Sequence, residues 1–190
     1  MTLHRSVLHG VLALTLSTAI SDLHAQGGAE TFVATATVKT KGAATASVPL
    51  TIVVGRTMPQ EEADNLLAAF KNGGALALRK ALVGVPVTGS VQLGGGTATA
   101  TRMTLERLTD KGRLLTILTD QPIVHLGAGL PAAKSKEGYD FGIIDIEIDK
   151  TGRGSGTLAP AAKVRATGHG IVVNDYASEI VRLTDVKKVQ

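Results

Sequence analysis

Apolar and polar residues alternate with a period of two along most of the chain after residue 30. In the stretch 31–39, Phe32, Ala34 and Ala36 share one face, while threonines lie mostly on the other. This alternation is typical of a half-buried strand, because successive side chains of a strand point to opposite faces. Extended patterns occur at 31–39, 48–54, 85–93, 97–108, 114–119, 141–148, 157–166, 171–173 and 180–189. The chain is therefore predicted to be mainly β, with about nine strands.

Residues 58–83 leave this pattern and are predicted to form a pair of short helices. The second helix is expected at 75–82, with Gly84 ending it, and the stretch 57–60 carries the threonine and glutamine of a capping box. The apolar positions at helical spacing are Ala63, Leu66, Leu67, Phe70, Leu78 and Leu82. The pair is predicted to cover one sheet face or one barrel end. The alternative is a lid over a binding cavity.

Glycine-containing stretches at 94–96, 110–112 and 149–152 predict tight turns between successive strands. Apolar positions change face near Arg102-Met103, which indicates a β-bulge or a strand that passes between sheets. Short strands joined by tight turns are typical of antiparallel barrels and sandwiches. We therefore predict a single α+β domain over 31–190, an antiparallel β-barrel or sandwich covered by two short helices.

The N-terminal stretch 1–25 is predicted to be a cleavable signal peptide. A short basic region precedes an apolar stretch at 7–20, and a cleavage site with a small residue follows at Ala25. The apolar stretch is shorter than the roughly 20 residues that a permanent membrane anchor needs. We expect cleavage after Ala25, a flexible lead-in at 26–30, and a mature chain that is periplasmic or secreted.

Composition narrows the partners that the mature chain is expected to have. There is no cysteine, so the sequence predicts neither a disulfide nor a lipid attached to a lipobox cysteine. The net charge is +4, but the bases are scattered, aromatic residues are 3% and tryptophan is absent. These features argue against a nucleic-acid surface or a stacking platform for sugars. The predicted partners are a small apolar or anionic ligand or an envelope protein, with no cofactor, no nucleic acid and no membrane span after signal removal.

Histidine and serine residues form no recognisable catalytic or metal motif. His125 and His169 are the histidines beyond the predicted signal, whereas a zinc site needs three or four ligands in close array. Ser155 has a glycine on each side, but a nucleophile elbow needs glycines two residues away in both directions. No catalytic, ligand-binding or metal residue is therefore assigned from the sequence.

Three acidic residues, Asp145, Glu147 and Asp149, alternate along one predicted strand. Neighbours on the same face of a strand are about 6.6 Å apart, so these acids could hold a cation or act as a general acid and base. The favoured interpretation is the solvated face of an amphipathic strand, because isoleucines occupy the alternate positions. Cross-strand neutralisation by Lys163 or Arg165 is expected in that case.

Three stretches together resemble a group of exported bacterial proteins to which no activity is assigned. They are 119–123, the run from Tyr139 to Val164 that contains FGIIDIEIDKTGRGSGTLAPAAKV, and NDYASEIVRLTDVKKV from Asn174. The similarity runs from about Thr57 to the end of the chain. The resemblance implies an extracytoplasmic β-rich domain and brings no activity or site residues with it. Gln121 departs from the group, in which that position is usually basic.

Three functional hypotheses follow from these patterns. The first is an exported, non-catalytic domain that binds a small ligand or an envelope partner. The second is a hydrolase or isomerase of unfamiliar design that uses Asp120, His125 and the carboxylates near Asp145. The third is a structural envelope component that assembles through exposed strand edges.

Export predicts a defined mature N-terminus at Gln26. Intact-mass measurement and N-terminal sequencing of protein from the periplasm of a bacterial host should give a chain that begins at this residue. A full-length chain recovered only from the cytoplasm would contradict the predicted signal peptide.

Overall fold

A computed structural model describes residues 28–39, 45–123, 137–167, 170–176 and 180–190. Its strands are β1 (Glu30–Lys39), β2 (Thr45–Val54), β3 (Gly89–Leu93), β4 (Thr99–Thr101), β5 (Met103–Leu108), β6 (Gly112–Leu118), β7 (Phe141–Asp149), β8 (Arg153–Thr167), β9 (Gly170–Tyr176) and β10 (Val181–Lys188). Helix α1 (Gln60–Gly84) lies between β2 and β3. The mainly β prediction is confirmed.

The strands form one antiparallel sheet that closes almost completely into a barrel. The strand order is β4-β3-β2-β1-β10-β8-β7-β6-β5, and β9 pairs with β8 outside this path. The first and last strands of the order, β4 and β5, are separated in sequence only by Arg102. Because these two ends of the sheet are joined by the chain itself, the architecture is a barrel and not a sandwich.

The strand that closes the barrel changes partners at Arg102. β4 pairs with β3, whereas β5 pairs with β6, and the Arg102 amide donates to the Leu118 carbonyl at 2.9 Å. Buried hydroxyl groups stabilise this junction. The Thr88 hydroxyl oxygen lies 3.0 Å from the hydroxyl oxygens of both Thr101 and Thr104. The predicted change of face at this point is confirmed, and it divides the stretch 97–108 into two strands.

Alternate residues of the strands fill the barrel interior. The interior side chains that are at most 1% exposed are Phe32, Ala36, Leu50, Ile52, Val91, Leu115, Ile117, Ile144, Ile146, Ile148, Leu158, Val181, Leu183 and Val186. A side chain that lines a water-sized cavity keeps accessible surface, so the interior around these residues is packed. A ligand therefore has no space beside them inside the barrel.

Helix α1 is one element with an internal break, and the prediction of two separate helices is wrong. Gly74 has φ 66° and ψ −161°, a conformation that glycine adopts without a Cβ clash. The chain therefore re-enters the helix at once, with no loop between the two halves. The predicted end at Gly84 is confirmed. Among the described residues, no helix has both the length and the hydropathy to cross a bilayer.

The helix covers part of the outer face of the sheet. Its buried residues Leu66, Phe70, Leu78 and Leu82 form a second apolar cluster with side chains of β5 to β8. The strand residues of this cluster include Met103, Leu118, Phe141, Ile143, Ala159, Ala162 and Val164. On β7, these positions alternate with the interior isoleucines. The predicted cover over one sheet face is therefore observed, and it lies outside the barrel.

Two local predictions near the helix are wrong. No capping box forms. Pro59 is the N-cap, and the side-chain amide of Gln60 donates to the Asp64 carboxylate at 2.8 Å. The Met58 amide instead donates to the Thr104 carbonyl, which fixes the entry to the helix against β5. Residues 85–88 are not part of β3, which begins at Gly89, and the Thr88 carbonyl accepts hydrogen bonds from the Gly55 and Arg56 amides just after β2.

An ion-pair network closes one end of the barrel. Arg113 donates to both carboxylate oxygens of Glu30 at 2.8 Å and to Glu106 at 3.3 Å, while Lys188 donates to Glu30 at 2.7 Å. The Arg113 guanidinium also lies 5.8 Å from the centroid of the Phe32 ring. Partial burial raises the pKa of Glu30, but the hydrogen bonds and charges of Arg113 and Lys188 outweigh it and lower the pKa below 4.5.

The lowered pKa of Glu30 predicts a pH-dependent contribution to stability. The contribution is complete above the ordinary pKa of 4.5 and is lost as the pH falls through the lower folded-state pKa. Glu30→Gln should therefore cost about 1–2 kcal/mol at neutral pH and much less in acid. Urea unfolding across pH measures this difference. Glu106→Gln, which removes a single longer hydrogen bond to Arg113, should cost less stability. If Glu30→Gln cost the same at all pH values, the lowered pKa of Glu30 would be contradicted.

Gly154 is predicted to be intolerant of a side chain. A Cβ at this position would lie 1.8 Å from the Glu147 carbonyl oxygen on the neighbouring strand. Gly154→Ala should therefore lower the free energy of unfolding by about 2–3 kcal/mol, as overpacked cores do. Gly95→Ala is the matched control, because nothing lies within 4 Å of its Cβ. Similar unfolding midpoints for the two variants would contradict the close approach of β7 and β8.

Candidate ligand-binding groove

An open groove of about 540 Å³ lies on the outer face of β6, β7, β8 and β10. The residues that give it chemical character are Leu114, Asp145, Glu147, Ser155, Thr157 and Arg182. It lies on the part of the outer face beyond the strand residues that α1 buries.

Strand alternation and register bring the polar side chains of the groove together. On β7 the isoleucines at 144, 146 and 148 are at most 1% exposed, so Asp145 and Glu147 lie on the opposite face. Across the sheet, Thr116 pairs with Asp145, Asp145 with Thr157, and Thr157 with Arg182. The same face of four adjacent strands therefore presents hydroxyl, carboxylate, hydroxyl and guanidinium groups in sequence.

The charged groups of the groove form no ion pairs within the described part of the chain. Asp145 accepts a hydrogen bond from the Thr116 hydroxyl at 2.6 Å, and Glu147 accepts one from the Thr109 hydroxyl at 3.3 Å. Arg182 has no bonded carboxylate among the described residues. Both acids are half-buried, and a carboxylate can accept more hydrogen bonds than the single hydroxyl bond described for each.

The predicted neutralisation of these acids by Lys163 or Arg165 is wrong. The register places Lys163 opposite Asp175 and Arg165 opposite Val172, in the β8–β9 pair. Asp145 instead faces Thr157, which precedes Lys163 by six residues and therefore lies about 20 Å away along the strand. The groove consequently keeps its negative charge.

Asp149 belongs to a turn and not to the groove. Its carboxylate accepts hydrogen bonds from the Thr151 hydroxyl and amide at 2.7 Å and from the Arg153 amide at 3.0 Å. The Thr151 hydroxyl is the main cause of the lowered pKa of Asp149, and the Arg153 amide adds to it. These bonds stabilise the β7–β8 hairpin, in which the Gly152 amide donates to the Asp149 carbonyl. The predicted turn is confirmed.

The residues of the enzyme hypothesis are not assembled in the described ranges. Asp120 accepts a bond from Arg102 Nε at 3.1 Å, at the partner switch of the barrel. Leu118 and Ile143, both buried beneath α1, lie between Asp120 and the groove. His125 and His169 fall outside the described residues.

Ser155 and Arg182 show what sequence reasoning missed. Ser155 lies on β8 opposite Glu147, where its hydroxyl lines the groove. Arg182 lies between the buried Val181 and Leu183, so the alternating pattern indicates that it faces outward. Its position beside Thr157 depends on the pairing of β10 with β8, which the alternation alone does not give.

The comparisons with known proteins give no relative. No family model matches the chain, and neither a curated protein nor a solved structure shows significant similarity. Among the residues with described positions, no three histidines or carboxylates are grouped as metal ligands.

Proposed function

We propose that this chain is an exported, non-catalytic binding domain. Its outer groove binds a small ligand that carries a positively charged group. The observation that carries the proposal is the set of uncompensated charges, Asp145, Glu147 and Arg182, around one open groove. Several other acids and bases of the described chain do form ion pairs, as in Arg56–Glu62, Arg102–Asp120 and Arg113–Glu30.

The spacing of the charges favours a ligand with two charged ends. Asp145 and Glu147 are about 6.6 Å apart along β7, so an ammonium group can lie between them. Arg182 lies two strands from Asp145, about 9–10 Å across the sheet, where it can bind an anionic group. The hydroxyls of Ser155 and Thr157 lie between the two ends and can accept or donate hydrogen bonds. A small zwitterion therefore fits the groove better than a purely anionic or apolar ligand.

The packed barrel interior and the position of Asp120 weigh against two alternative functions, a carrier of an apolar ligand and an enzyme. The described interior leaves no space for a carried apolar ligand, which favours binding at the outer face. The enzyme alternative requires Asp120 to be free, but Arg102 holds it away from the groove acids. The proposed export rests on the N-terminal pattern at 1–25 and on the resemblance to exported bacterial proteins.

Titration with small charged probes tests the proposed ligand class. We expect L-lysine and the diamine cadaverine to shift the NMR signals of the Ser155 and Thr157 amides, because both probes carry ammonium groups. Glutarate, which has only carboxylates, should leave the Ser155 amide opposite Glu147 unchanged and should shift at most the Thr157 amide, which lies beside Arg182. Shifts with glutarate alone, or no shift with any probe, would contradict binding of a cationic group at this groove.

The groove acids can be removed without disturbing the core. Asp145→Asn with Glu147→Gln should weaken lysine binding about tenfold or more, since each lost charge-assisted hydrogen bond contributes about 1.5–3 kcal/mol. The free energy of unfolding should change by less than about 1 kcal/mol, because neither acid forms an ion pair with a described residue. Glu61→Gln, an exposed acid on α1, is the control and should bind lysine as the parent does. Retained binding in the double variant would overturn the proposal.

A further inference from the structure

The half of α1 that follows Gly74 has apolar residues on two opposite sides. Leu78 and Leu82 are fully buried against the sheet, whereas Leu76 and Val83 are 62% and 60% exposed. Residues seven apart lie on the same face of a helix, so Leu76 and Val83 belong to one outward stripe. A helix that is apolar on both sides is normally covered on both sides.

The same half of the helix carries positive charge without any acid. Residues 75–84 contain Arg79 and Lys80 and no aspartate or glutamate. Lys80 lies between Leu76 and Val83 on the outward stripe, one turn from each. Arg79, at its flank, bonds Asp140 at 3.2 Å, while Lys80 forms no ion pair with any described residue. We call Leu76, Lys80 and Val83 the α1 stripe.

We propose that the α1 stripe docks on an anionic lipid surface, with the helix lying in the plane of the interface. Leu76 and Val83 enter the boundary between headgroups and acyl chains, and the Lys80 ammonium reaches a lipid phosphate. The positive charge and the convex shape of a helix surface match a negatively charged lipid surface. A second copy of the chain is disfavoured, because a two-fold contact would bring the bases of one stripe against those of the other.

This docking surface is separate from the groove. The α1 stripe shares no residue with the groove lining, so the two proposals stand or fall independently. A contact formed by two apolar side chains and one base is expected to be weak and reversible, in the range of single-anchor membrane binding.

Co-sedimentation with lipid vesicles tests the inference on the full mature chain. The protein should sediment with vesicles that contain phosphatidylglycerol, less with phosphatidylcholine alone, and less as salt rises. Leu76→Asp and Val83→Asp should each lower the partition coefficient about tenfold or more, because an apolar side chain is replaced by a charge that the lipid repels. Lys80→Glu should have a similar effect.

Leu108→Asp is the matched control. Leu108 is 79% exposed but lies on β5, where no second exposed large apolar residue is described, so it is not part of an apolar stripe. Circular dichroism should show that all variants are folded, since the replaced side chains are mostly in solvent. The inference is overturned if the parent does not sediment with phosphatidylglycerol vesicles, or if the stripe variants sediment as well as the parent. The first outcome includes the case in which an acidic protein, and not lipid, covers the stripe.

Discussion

The closed inner face of the barrel is the constraint on which the rest of the structure depends. Every strand of a barrel presents alternate residues to the interior, so an apolar interior forces the intervening residues outward. Helix α1 covers only the part of that outer face around Leu118 and Ile143. The remaining part, with Asp145, Glu147 and Arg182, faces solvent and forms the groove. The groove is therefore formed by outward-facing strand residues that α1 does not cover, and these residues alternate with the residues of the core.

Glycine makes the tight interior possible on β8. Gly156 pairs with Ile146 and Gly154 with Ile148, so a residue without a side chain faces a large apolar residue at each level. Alternation of small and large residues across facing positions fills a narrow barrel without voids. A Cβ on Gly156 would lie 2.2 Å from the Asp145 carbonyl oxygen, which leaves no space for alanine there. The same close pairing holds Asp145 and Glu147 in place on the outer face.

The features that depend on local pattern were predictable from the sequence, and those that depend on register were not. The extended segments, the turn at 149–152 and the partner switch at Arg102 are each encoded by a few neighbouring residues. Lys163 was expected to lie beside the acids as a cross-strand neighbour on β8. In the structure its second half pairs with β9, and such pairing is set by contacts distant in sequence.

Amide hydrogen exchange measured by NMR tests barrel closure most directly. Closure requires the Arg102 amide to bond the Leu118 carbonyl and the Thr88 amide to bond the Thr101 carbonyl. Both amides should then exchange as slowly as those in the centre of β7, because they open only when the barrel itself opens. If they exchange as fast as the turn amide of Gly95 while β7 stays protected, the sheet is open at this seam. The account of a closed barrel with an outer groove would then be wrong.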